Sequence, residues 1–295
     1  MSLMDVYFLE QTELNVPPGN DWLSESEILC LSRLRFAKRH DDWRLGRWTA
    51  KRAVALRSGL PASPQMLAKI EIRPAPSGAP TLFFENKPAA ATISLSHRDG
   101  KAICAVTAAG LELGCDLELI EPHSDGFIVD YFTAEEQLAI AEAPAGDRFC
   151  LLALLWSAKE SALKALHAGL RLDTRQVIVR LLEASHLNGW RPLRVHSTEG
   201  QIFDGWWQRT NDTIRTLVAN PSPDLPILLK TPFVLPTSDH GAGRRLASVS
   251  TSPFAAREFH RDSSNPNLDA DLYEVAPYGA NCKDSAVRAS DDRGL

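Results

Sequence analysis

Cysteine is scarce in these 295 residues: there are five, at positions 30, 104, 115, 150 and 282, odd in number and never in a C-x-x-C pair. That scatter excludes a disulfide framework and the usual structural zinc sites, and free thiols suit a reducing cytosol, so a cytoplasmic location is expected. Long apolar runs are also missing. The longest, Phe149 to Trp156, is eight residues, far short of the roughly 20 needed to span a bilayer, and no membrane contact is expected. Met1 to Glu10 carries acids and no basic n-region, and is not expected to act as a secretion signal. Excess base is absent too. Charged residues make up 23% with a net charge of -5, which argues against a nucleic-acid binder. Neither G-x-x-x-x-G-K-[ST] nor a G-x-G-x-x-G after a strand occurs, so any phosphate must be held by basic side chains and a metal. A G-x-S-x-G elbow is missing as well, which removes the serine hydrolases.

What is present is a mixed pattern of helices and strands. Val6 to Leu9 reads as a first strand, and Ser24 with Glu27 is a capping box that opens a helix. A second helix is expected over Asp42 to Arg57, stopped by Gly59. Strands follow at Ile70 to Arg73, Thr92 to Leu95, Ala102 to Thr107 and Glu112 to Leu119, with Asp99-Gly100 as a hairpin turn. Thr133 with Glu136 is a second capping box, and Phe149 to Leu166 is a run of helix formers without proline or glycine. Further strands are expected at Val177 to Leu181, Leu193 to His196, Ile202 to Gln208 and Thr213 to Val218, and Ile227 to Val234 as one more packed segment. The fold class is therefore α+β, with two similar halves over 1–108 and 109–222. The repeat is expected in element order and not in residue identity. From 236 to 295 the composition is polar and aperiodic, and a disordered tail is expected.

Three stretches carry chemistry. In Trp156-Ser-Ala-Lys159-Glu160-Ser-Ala-Leu-Lys164, the i,i+4 pair Glu160 and Lys164 shares a helix face. By itself that fits an ordinary surface ion pair. Asp116 and Glu118 share one face of a strand, as an exposed acidic edge or as part of a hard oxygen site for Mg²⁺ with Glu160 as third ligand. Thr92-Ile-Ser-Leu-Ser96-His97 ends a strand in a hydroxyl and an imidazole suited to anions, or to a turn. Upstream, the bases from Arg33 to Arg57 form either a solvated face or a phosphate-binding wall.

Together these motifs resemble the 4'-phosphopantetheinyl transferases. Gly114-Cys-Asp116-Leu-Glu118 followed by Trp156 to Lys164 looks like that family's paired signature, Ser94-Leu-Ser96-His97 like its Ser-His motif, and Arg44 to Arg52 like its basic helix. The likeness is to the large, pseudo-dimeric class and spans roughly residues 4–219. It implies transfer of the phosphopantetheine arm of coenzyme A to a serine of an apo acyl or peptidyl carrier protein, a holo-acyl-carrier-protein synthase activity, by a monomer. It further implies Mg²⁺ on Asp116, Glu118 and Glu160, with Glu160 as base and Lys164 offsetting charge on the leaving phosphate. Arg44, Arg47, Lys51, Ser96, His97, Lys159 and Lys164 would contact the coenzyme; a helix is expected to turn the first three bases in different directions. Gly78-Ala79-Pro80 stands where the family often has Gly-Lys-Pro, and Arg98 follows the histidine where a small residue is common. A coenzyme A or carrier-binding protein without transfer, and a Mg²⁺-dependent nucleotide hydrolase, are the alternative readings.

Overall fold

After strand β1 (Tyr7–Thr12) the chain turns helical at Ser24, whose hydroxyl accepts from the Glu27 N–H while the Glu27 carboxylate accepts from the Ser24 N–H. The computed structural model describes residues 4–183 and 187–230, a mixed α+β arrangement. Helices α1 (Glu25–Ser32), α2 (Ala37–Arg57) and α3 (Pro64–Ala68) are followed by β2 (Ile70–Pro74), β3 (Pro80–Phe84), β4 (Lys87–Pro88), β5 (Ala91–Arg98) and β6 (Lys101–Ala108). Then come β7 (Glu112–Leu119), α4 (Asp125–Tyr131), α5 (Ala134–Glu142) and α6 (Arg148–Ala165). Strands β8 (Val177–Leu181), β9 (Arg191–Ser197), β10 (Ile202–Thr210), β11 (Thr213–Asn220) and β12 (Ile227–Leu228) complete the order.

Sheet order makes the succession repeat. The second half forms one antiparallel sheet, β7-β11-β10-β9-β8. The first half places its strands in the corresponding order in two pieces, β1-β6-β5 and then β3-β2, with β3 beside β5. Alternation along the strands gives four layers. On β6, Cys104 and Val106 join the core under α2, whereas Ile103 and Ala105 face the other way. On β11, Ile214 and Val218 join the core under α6, whereas Leu217 and Ala219 face the first sheet. The two sheets thus pack back to back through Phe8, Ile103, Leu117, Trp190 and Leu217, and each carries its long helix outside. Residues 222–229 then return to the first half, where β12 pairs parallel with β1.

The repeat extends to residue identity, contrary to the sequence expectation. Trp48-Thr49-Ala50-Lys51 on α2 recurs as Trp156-Ser157-Ala158-Lys159 on α6, 108 positions on. Each lysine lies fully buried and closes on the carboxylate of the capping box that opens the preceding helix. Lys51 pairs with Glu27 and donates to the carbonyls of Trp22 at 3.0 Å and Leu67 at 3.1 Å. Lys159 pairs with Glu136 at 2.8 Å and donates to the carbonyls of Thr174 at 2.9 Å and Val177 at 2.5 Å. Glu27 also accepts from the N–H of Ile72 on β2, and Glu136 from that of Val179 on β8. One carboxylate therefore caps a helix, holds an ammonium group and fixes a strand, and it does so twice.

Several elements differ from the sequence reading, among them α3, β3 and β4, which were not expected. Helix α2 starts at Ala37 rather than Asp42, because Ala37-Lys38-Arg39 are good helix formers and Asp41 and Asp42 fall in its second turn. Helix α4, capped by Ser124, was not expected. Of the segment 227–234, Ile227–Leu228 pairs as β12 and 231–234 lies outside the described residues, as does the stretch 236–295 expected to be disordered.

Glu136→Ala would leave the Lys159 ammonium buried without its counter-charge. Urea unfolding is expected to show a loss of about 3–5 kcal/mol, with a similar loss for Glu27→Ala.

Candidate functional site

The two elements that carry the sequence signature touch because of one glycine. On β7, Gly114, Asp116 and Glu118 share the face toward α6, and Leu113, Cys115 and Leu117 the face toward the first sheet. A Cβ on Gly114 would fall 1.7 Å from the Ser161 carbonyl oxygen, so only glycine lets the helix backbone lie this close to the strand. That approach brings Glu160 and Lys164 over Asp116. Ser157 and Ser161 hydroxyls, bonded to Thr216 on β11, pin the same stretch of helix to the neighbouring strand.

Asp116 is buried and its Oδ1 accepts from Lys164 Nζ at 2.7 Å and Ser96 Oγ at 2.8 Å. Lys164 also donates to the Cys115 carbonyl at 3.2 Å. Asp116 Oδ2 and Glu160 Oε1 are buried oxygens that meet no donor. Burial first, then the charge of Asp116, pushes Glu118 up to about 8; burial raises Glu160 to about 7, with Asp116 adding to it and Lys164 opposing. Burial alone would lower Lys164, but the charges of Asp116 and Glu160 outweigh it and hold its ammonium form above the ordinary lysine range. Carboxylates raised toward neutrality beside a fixed cation are what a proton acceptor working near pH 7 requires.

The first half contributes through β5, the strand that borders β7. Ser94 Oγ accepts from the Cys115 N–H at 2.9 Å, and Ser96, two residues on, donates to Asp116. Arg98, two further on, lies 3.7 Å from Glu118 and donates to Glu121. His97 is 3.8 Å from Asp42 on α2. Burial lowers its pKa, with the charges of Lys164 and Lys38 acting the same way against Asp42 and Asp116, so the neutral imidazole prevails at neutral pH. Lys38 and Arg98 were not among the expected site residues. Arg98 had a signal, since it continues the i, i+2 face of Ser94 and Ser96; Lys38 had none beyond its place in a basic run.

Other expected coenzyme contacts sit elsewhere. Lys51 and Lys159 are enclosed by their carboxylates and carbonyls and present no group to solvent. Arg44 is used on the loop below it, bonding Asn20 and the carbonyls of Pro17 and Gly19. Arg47 is buried 3.8 Å from Glu27 with its guanidinium over the Trp43 ring. The expectation that a helix turns these bases apart was mistaken: positions 44, 47 and 51 follow i, i+3, i+7 and share one face. That face looks inward at Arg47 and Lys51, with Arg44 half-buried at its end. The turn Gly78-Ala79-Pro80 receives a base from the second half, since Arg171 donates to the Ser77 carbonyl at 2.9 Å.

Among the described residues, no group of three or more His, Cys, Asp or Glu side chains is closed round a point that would hold a metal ion. Asp116 Oδ1 is taken by Lys164 and Ser96, and Glu118 lies toward Arg98. The chemistry of the donors nonetheless suits a hard dication: three carboxylates on facing elements lie near enough to feel one another's charge, and two of them keep a buried oxygen without a donor. Among the described residues no helix is long and apolar enough to cross a membrane.

Residues 112–201 match the model of the 4'-phosphopantetheinyl transferase superfamily. The matched stretch includes Asp116, Glu118, Glu160 and Lys164, and leaves Ser96 and His97 outside. No curated protein matches the chain.

With Glu118 held near 8 against an ordinary 4.5, the unfolded chain loses its proton first, so stability falls as pH rises between those values and levels off above them. Thermal melts in EDTA are expected to show Glu118→Gln equal to wild type at pH 4.5 and several degrees more stable at pH 8.5. An equal gain at both pH values would overturn that account.

Proposed function

We propose that the chain transfers the 4'-phosphopantetheine arm of coenzyme A to a serine hydroxyl of an apo acyl or peptidyl carrier protein, releasing 3',5'-ADP, as a member of the large, pseudo-dimeric class. The observation that carries this reading is the bond of Lys164 to Asp116, with Glu118 and Glu160 near enough to be shifted by the charges around them, within the stretch that matches the superfamily. The free thiols of Cys104, Cys115 and Cys150 support a reducing, cytosolic setting.

The reaction forms a bond from the serine oxygen to the phosphorus that bears pantetheine and breaks the bond from that phosphorus to the 3',5'-ADP oxygen. Asp116, Glu118 and Glu160 would hold Mg²⁺, which supplies neutralisation of the pyrophosphate charge. Glu160, raised to about 7 by burial, takes the serine proton, directly or through a water. Lys164 stays charged throughout and offsets the charge that develops on the departing phosphate. Ser96 fixes the rotamer of Asp116 by its hydrogen bond. His97 and Lys38, at the edge of the cluster, are the groups we assign to the coenzyme's remaining phosphate charge, since the bases on the inner face of α2 are enclosed. Lys159 acts on the helix that carries Glu160, not on substrate.

Protein incubated with Mg²⁺, coenzyme A and an apo carrier is expected to add one phosphopantetheine mass to the carrier; unchanged mass across a panel of carriers would sink the proposal. Release of 3',5'-ADP without any carrier would point instead to a hydrolase. Glu160→Gln is expected to lower turnover by roughly 10²–10⁴-fold while coenzyme A still binds. Lys164→Arg, which keeps a counter-charge for Asp116, should lower turnover in a protein of near wild-type melting temperature, whereas Lys159→Met should show chiefly as lost stability.

A further inference from the structure

Asp116, Glu118 and Glu160 lie near enough to act on one another's charge, and two cations tethered to the chain stand against them, Lys164 on Asp116 and Arg98 by Glu118. Lys164 is locked to Asp116 by a 2.7 Å bond and by the Cys115 carbonyl. Arg98 is held differently. Its side chain is 30% exposed, its Nε lies 3.7 Å from Glu118, and its Nη2 donates to Glu121 beyond the end of β7. The guanidinium therefore stands between a carboxylate of the cluster and one outside it.

We propose that Arg98 is a tethered counter-ion that competes with the divalent cation for Glu118, and that Glu121 is the station to which it withdraws when that cation binds. The idea rests on the reading of the cluster as a cation site. Counting only fixed charge, Asp116, Glu118 and Glu160 against Lys164 and Arg98 leave a single negative charge, less than a dication needs. With Arg98 drawn wholly to Glu121, the cluster regains a second. A dication is repelled by the guanidinium twice as strongly as a proton at the same point. Removing Arg98 also lets Glu118 hold its proton more tightly, which opposes metal binding, but by only the smaller of these two effects. Arg98 thus sets how much free cation the site requires and keeps the carboxylates partly neutralised without one. Its position on β5, in line with Ser94 and Ser96, fixes its backbone beside β7.

The test is a Mn²⁺ titration followed by electron paramagnetic resonance, at pH 8.5 under argon and without coenzyme A, so that no phosphate contact of Arg98 enters. Asp116→Asn defines the site. Arg98→Ala is expected to bind Asp116-dependent Mn²⁺ about tenfold more tightly than wild type, within the range usual for coupled binding events. Glu121→Gln, which removes the carboxylate that draws the guanidinium away from Glu118, is expected to bind more weakly, and that effect should shrink in the Arg98→Ala background. Opposite directions in the two variants separate the proposal from simple loss of structure. Equal or weaker binding by Arg98→Ala, with the Asp116-dependent site intact, overturns the role of Arg98 and leaves the cation site standing. No Asp116-dependent Mn²⁺ in any variant overturns the cation reading, and the proposal with it.

Discussion

An ammonium group cannot stay inside a protein unless a carboxylate and carbonyl oxygens replace the water it gave up. Lys51 and Lys159 both meet that condition through a glutamate that is already fixed by capping the helix before it. The geometry of each half follows from there. The lysine sets the rotation of its long helix about its own axis, the carboxylate sets the helix start and the strand beyond, and three elements lock at one point. On α6 this rotation decides everything at the site, because Glu160 and Lys164 are one and five residues past the lysine. An error of one residue in the rotation would swing both away from Asp116 by about 100°.

The duplication also shows what was not duplicated. At the place of Glu160 the first half has Arg52, whose guanidinium lies over the Trp48 ring, and at the place of Lys164 it has Leu56. One copy of the framework keeps a packed, closed helix face; the other carries charged groups on the same face. The first half takes part instead through its edge strand β5, whose Ser94, Ser96 and Arg98 reach across to β7 in order. The site thus belongs to the border between the sheets and not to either half alone.

Much of this could be read from the residues. Asp116 with Glu118 and Glu160 with Lys164 follow periods of two and four, so each pair was placed on one face before any coordinates. The capping boxes at Ser24 and Thr133 were equally plain. What failed was burial. The family resemblance set Lys51 and Lys159 on the coenzyme, and a lysine on a helix is usually at the surface, yet both are fully buried. Their true partners lie 24 and 23 positions upstream in the capping boxes, and the recurring Trp-[Ser/Thr]-Ala-Lys spelled out the relation. Contacts between strands of different sheets, such as Arg98 with Glu118, leave no periodic trace. They appear only when the two edges are set side by side.

The return of residues 222–229 to the first strand ties the order of synthesis to the order of assembly. Ile227 and Leu228, the ladder partners of Tyr7 and Phe8, are made some 220 residues after them. Until some 220 further residues have left the ribosome, the outer edge of β1 has its N–H and C=O groups bare, open to a strand of any other chain nearby. The nascent first half is in this sense an unfinished sheet awaiting its own far end. Pairings of such wide separation are also slow to find. A cell making this protein therefore carries, for each chain, an interval in which one exposed strand edge is the main hazard of its birth.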